Sequence, residues 1–154
     1  GRIMDKENRE ALLNEMERLI DAGEKTIMGV LVNVEEGTVG AVTFVDKIDY
    51  IYALLNIDLI DVAVRKVGYK NYDFIIDDEG LLKGRAIPSV LDTKKEPMLV
   101  GNVLIVNSNE EGEFTSLSID DIRNIEQHLG KITFYDEEKD EERSAVVVAN
   151  VDYC

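Results

Sequence analysis

Residues 61–90 hold Arg65, Lys66, Lys70, Lys83 and Arg85 against Asp61, Asp73, Asp77, Asp78 and Glu79, a net charge of zero in a chain of formal net charge -15. A neutral stretch carrying guanidinium and ammonium groups is where an anionic ligand is tolerated. Elsewhere the long-range field of the chain repels phosphate. Tyr69 and Tyr72 add rings that can stack a nucleobase, and guanidinium groups grip phosphates bidentately. Arg65, Lys66, Tyr69, Lys70, Tyr72, Lys83 and Arg85 therefore form the candidate ligand site. A competing reading pairs these bases across a hairpin with Asp61, Asp73 and Asp77 and gives them no further task.

Asp77, Asp78 and Glu79, followed by Gly80, are the densest carboxylates at a strand end. Such a group could hold a hard cation or act in acid–base chemistry. The run lacks the alternating oxygens and distal Glu of an EF-hand loop, and an acidic turn explains it equally. His128 is the only histidine and Cys154 the only cysteine. A zinc site needs more of both. No Gly-x-Ser-x-Gly elbow accompanies His128. Residues 80–84 and 101–102 match no phosphate-loop fingerprint. The sequence contains no catalytic set and calls for no cofactor.

The charge excludes non-specific nucleic-acid binding, because 32 acidic residues outnumber 17 basic ones. It admits the opposite, a surface whose carboxylates stand where a basic protein expects phosphates. A length of 154 residues fits one domain and a sizeable core without staples. A single cysteine allows no intrachain disulfide and suits a reducing compartment. No apolar run reaches the roughly 18–20 residues that span a bilayer, and residues 1–10 are polar without a signal-peptide core. The expectation is a cytoplasmic protein with no membrane partner.

These residues need elements to position them. Leu12, Met16 and Leu19 recur at helical spacing, which predicts a helix over 5–22 with Asp5 as N-cap and Gly23 as stop. Residues 27–34 and 38–45 read as a hairpin. A short helix follows over 46–55, with Asp46 as cap and Asp49 as its partner. Residues 58–67 alternate, predicting a strand that buries Ile60, Val62 and Val64 and turns Asp61 and Arg65 outward. Residues 72–77 return beside it. Residues 81–97, holding Pro88 and Pro97, read as an irregular loop, and 98–106 as one apolar strand.

Ser118 opens a third helix, with Asp121 as capping partner and Leu129 on its apolar face before Gly130. Residues 131–135 and 145–151 form a last hairpin. Its tip, 136–143, has six acids and two bases and reads as a solvated turn or a contact for a basic partner. Val146 and Val148 suit an edge strand able to pair with a second copy, so a homodimer is possible. Strands arriving as hairpins predict an α+β fold, a mostly antiparallel sheet with two or three helices packed on it.

Four ordered segments lie within residues 58–129. They are Asp58-Leu59-Ile60-Asp61-Val62, Asp77-Asp78-Glu79-Gly80-Leu81-Leu82, Glu96-Pro97-Met98-Leu99-Val100-Gly101-Asn102 and Gly112-Glu113-Phe114-Thr115-Ser116-Leu117. In order and spacing this set resembles an uncharacterised family, domain of unknown function 3846. The resemblance implies a phage or mobile element of Firmicutes as the source and carries no reaction with it. The expectation is thus a binding protein that sequesters an anionic small molecule such as a nucleotide signal, a role suited to counter-defence. The alternatives are an acidic inhibitor of a host nuclease or other basic protein, and a cation-dependent enzyme using Asp77, Asp78 and Glu79.

Overall fold

The computed structural model describes residues 2–78 and 87–154. Lys83, Arg85 and Glu79 lie outside the described residues. The elements in chain order are α1 (Lys6–Asp21), β1 (Ile27–Asn33), β2 (Thr38–Phe44), α2 (Ile48–Leu55), β3 (Ile60–Val67), β4 (Lys70–Asp77), β5 (Pro88–Asp92), β6 (Pro97–Val100), β7 (Val103–Ser108), β8 (Phe114–Thr115), α3 (Ile119–Glu126), β9 (Leu129–Asp136) and β10 (Glu141–Tyr153). The strands form one sheet in the order β2-β1-β7-β4-β3-β10-β5-β6, with β8 on β7 and β9 on β10. All pairings are antiparallel except β5 with β10. The fold is α+β, as the hairpin pattern predicts.

The middle of the sheet is buried on both faces, which is why β7 reads as an unbroken apolar run. Val103 and Ile105 enter one core with Val30, Tyr72, Phe74, Leu117 and Ile125. Leu104 and Val106 enter the other with Met16, Phe44, Ile51, Leu55 and Ile75. Helices α1 and α2 cover the second face, and α3 covers the first. The long strand β10 curls back over the first hairpin: Val146 N–H donates to Gly37 O at 2.9 Å, and Arg143 Nη2 donates to Val34 O at 2.8 Å.

Several expectations change in the structure. The side chain that should cap α2, Asp46, gives way to Lys47 as N-cap with no side-chain bond. The irregular reading of 81–97 fails over 88–92 and from Pro97, where β5 and β6 pair. Strand 98–106 is broken in two, because Gly101 adopts φ 75°. The third helix ends at Glu126, and Leu129 already begins β9. Of the face of β3 expected to be buried only Ile60 packs against a core; further along, the strand buries the opposite face. Val67 is buried and Arg65 half-buried, while Val62 and Val64 are 40% and 45% exposed. Alternation fixes which residues share a face but not which face a neighbouring layer covers. Finally, β10 is no edge: it bonds to β9, β3 and β5 and its Val148 is buried, so it cannot pair with a second copy there.

Candidate functional site

The predicted ligand residues do not form one pocket. Arg65 and Lys66 are neighbours on β3, and the period of two sends them to opposite faces. Lys66 is exposed. Arg65 lies across from Tyr153, with its guanidinium 4.8 Å from the ring centroid, and its Nη1 donates to Val64 O at 2.9 Å. Its Nε is buried without a hydrogen-bond partner among the described residues. Tyr69 is 68% exposed in the two-residue turn between β3 and β4.

Lys70 and Tyr72 instead converge on Asp121. Lys70 Nζ donates to Asp121 Oδ1 at 2.9 Å, and Tyr72 Oη to the same oxygen at 3.0 Å. Asn107 Nδ2 and the Ser118 N–H each reach Oδ2 at 2.9 Å. Asn124 Nδ2 bridges Val67 O and Tyr72 Oη. Ser118 and Asp121 complete the expected capping box. Burial pushes the Asp121 carboxyl up, but the bonds from Ser118, Lys70, Asn107 and Tyr72 outweigh it and hold the acid below the usual carboxylate range. Burial first, with Asp121 adding to it, pushes the Tyr72 phenol above its ordinary value. Tyr72 is 1% exposed. The cluster pins α3 to the β3–β4 hairpin.

His128 ends α3, with Nδ1 3.1 Å from Ala149 O, while Cys154 is exposed. Asp77 is buried and Asp78 exposed. Among the described residues no three histidine, cysteine or carboxylate side chains come together to hold a metal.

The larger concavity lies elsewhere, at one end of the sheet. A groove of about 630 Å³ is lined by the loops after β1, α2, β6 and β9, by the end of β4 and the start of β5, with Arg143 at its wall. Its charged lining among the described residues is Glu35, Glu36, Asp77, Asp136, Glu137 and Glu138 against Lys139 and Arg143. Arg143 is committed: Nε holds Asp136 Oδ2 at 2.7 Å, and the guanidinium lies 4.6 Å from the Phe134 ring centroid. That bond, opposed by burial and helped by the N–H groups of Lys139 and Glu138, keeps the Asp136 acid below its ordinary value.

Asn102 forms the floor of the groove. Its Oδ1 accepts from Val34 N–H at 2.9 Å, and its Nδ2 donates to Glu35 Oε1 at 3.0 Å and Leu55 O at 3.1 Å. Asn102→Leu strands the Val34 N–H and leaves Glu35 with only Arg9 and Asn56 as partners; urea unfolding should show a loss of about 1–3 kcal/mol. Sequence reasoning missed Glu35, Asn102 and Arg143 as one site because they are far apart in the chain. The one signal was the charged tip 136–143. A second, smaller cavity of about 410 Å³ carries mixed charge from Glu24, Lys25, Asp46, Lys47 and Glu113.

No helix is long and apolar enough to cross a membrane among the described residues. No curated protein and no solved structure matches the chain. The model of a domain of unknown function, DUF3846, matches residues 27–130. It takes in β1 through α3, including the Asp121 cluster and the groove floor, and leaves α1 and most of the last hairpin outside. The match covers well over half the chain, and the protein belongs to the DUF3846 family.

Proposed function

We propose that this chain is a binding protein whose acidic groove receives a Lys/Arg-rich segment of another protein. The observation that carries the reading is the groove's charge: among the described residues six carboxylates line it against two bases, with Arg143 bound to Asp136 and Arg9 of α1 reaching Glu35 at 3.7 Å. Low-dielectric walls focus such a field and raise the local concentration of a cationic partner. The partner envisaged is a host nuclease or other nucleic-acid-binding protein, whose phosphate sites are lined with bases. In this reading the chain acts in the bacterial cytoplasm as a phage or mobile-element product. The anionic-ligand reading keeps less support, since Lys70 and Tyr72 are spent on Asp121 and Arg65 on Tyr153 and Val64.

The test is titration with an arginine-rich peptide. Glu36→Gln with Glu137→Gln and Glu138→Gln should weaken binding about tenfold or more, as lost steering and complementarity require. Neutralising the exposed Glu24, Glu110 and Glu111, which lie before β1 and after β7 at the ends of these strands away from the groove, removes the same charge and should leave affinity within about twofold, because distant charges are screened. Equal losses in both variants would show that net charge alone attracts the peptide and would sink the groove.

A further inference from the structure

The smaller cavity lies at the start of β1, away from the groove. Strand β2 ends on one side of it, with Ile27 opposite Phe44. Residues 116–117 run on the other: Met28 N–H donates to Ser116 Oγ at 2.9 Å, and Leu117 N–H to Met28 O at 2.8 Å. Between these flanks the chain leaves about 410 Å³, a volume in the range of small-molecule sites. Ile27 and Val45, 5% and 3% exposed, give it an apolar lining with the half-buried Phe114. Lys25, Asp46, Lys47 and Glu113 are exposed around them.

These charges act on one another without being paired. Among the described residues no ion pair joins Lys25, Lys47 or Asp46 to a neighbour. Loss of hydration, then Glu113, pushes the Asp46 carboxyl above its ordinary value, and Lys25 pulls it the other way. Glu113 is held in place: its Oε1 accepts from Asn109 Nδ2 at 3.1 Å, and its N–H donates to Asn109 Oδ1 at 2.9 Å. A cation brought between Asp46 and Glu113 relieves their repulsion. A carboxylate brought to Lys25 gives that ammonium a charged acceptor. The base beside the two acids, with no third metal-binding group gathered there among the described residues, disfavours a divalent cation. Apolar residues beneath the charges suit a hydrocarbon side chain.

We infer that this cavity binds a small zwitterion, an apolar amino acid or a dipeptide of such residues. The ammonium group lies between Asp46 and Glu113, the carboxylate takes Lys25, and the side chain rests on Ile27, Val45 and Phe114. Groups of both signs on one molecule match a rim of both signs, which a singly charged ligand does not. The cavity and the groove sit at opposite ends of β1, so the inference goes beyond the groove reading and does not depend on it.

The probes are L-leucine and leucyl-leucine, titrated into the full chain and followed by backbone amide NMR. At least one should give saturating shifts at residues 24–27, 45–47 and 113–116. For whichever binds, the C-terminal amide lacks the carboxylate and the N-acetyl form lacks the ammonium. Each should lose about tenfold in affinity, as removal of a charged hydrogen bond requires. Asp46→Asn and Lys25→Gln should lose about as much, and Asp46→Asn should shrink the gap between the free and the N-acetylated ligand. Both side chains are exposed and hold no ion pair among the described residues, so these variants should fold. The Glu36, Glu137 and Glu138 triple variant should bind the probe within about twofold of the parent, because distant charges are screened. That keeps this test separate from the test of the groove. No saturating shift with either probe, shifts only elsewhere, full affinity of either capped form, or indifference to both single variants would overturn the inference.

Discussion

Asp121→Ala should cost about 3 kcal/mol of folding stability, read from urea unfolding with the midpoint and slope fitted together. The carboxylate side chain is 4% exposed and takes bonds from Lys70, Tyr72, Asn107 and the Ser118 N–H. Truncation leaves the Tyr72 hydroxyl in the core without its acceptor, and the N-terminus of α3 without its capping box. Lys70 is more open, with a side chain 38% exposed, so its share is discounted for solvent screening. Asp121→Asn keeps the shape and loses the charge, and its cost should depend on pH. The folded-state acid sits below the unfolded value of about 3.9. Its contribution is therefore complete above that pH and is lost as pH falls toward the folded-state value. Wild type and Asp121→Asn should differ most near neutrality and converge in acid. A difference that stays constant down the acid range would contradict the charged network.

Gly68→Ala should be nearly as damaging. Gly68 has φ 60° at the first position of the two-residue turn joining β3 to β4, where an L side chain costs about 1–2 kcal/mol. A Cβ there would also overlap Asn124 Oδ1 and press on His128 Nε2. Moving Asn124 breaks its bonds to Val67 O and Tyr72 Oη, and such overpacking adds about 1–3 kcal/mol. Gly40, with nothing near its missing side chain, is the control: Gly40→Ala should change stability by only about 0.5 kcal/mol. Equal effects at the two glycines would remove Gly68 from the network.

Both predictions concern residues whose local role is legible in the sequence. Ser118 and Asp121 are three apart before an apolar helical face, so the capping box can be read directly. That Asp121 also gathers Lys70, Tyr72 and Asn107 cannot, because those partners come from β4 and β7. Arg65 and Lys66 illustrate the reverse. As neighbours on a strand they must diverge, so the strand assignment already weighed against a pocket that used both. The buried face of β3 depended on which helix layer reached it, and α1 and α2 stop short of Val62 and Val64. The groove was the least legible feature. Glu35, Asn102, Asp136 and Arg143 belong to four separate loops or strands, and only the tip 136–143 showed its acidity as a run.

The central claim is that a basic segment enters this groove and not merely the acidic surface at large. The most direct measurement is a backbone amide NMR titration of the full chain with the arginine-rich peptide. The account predicts shifts confined to residues 34–36, 56–57, 100–102 and 134–139, saturating together. Shifts spread over α1 and the acidic turn at 109–113, with the groove amides unmoved, would contradict it.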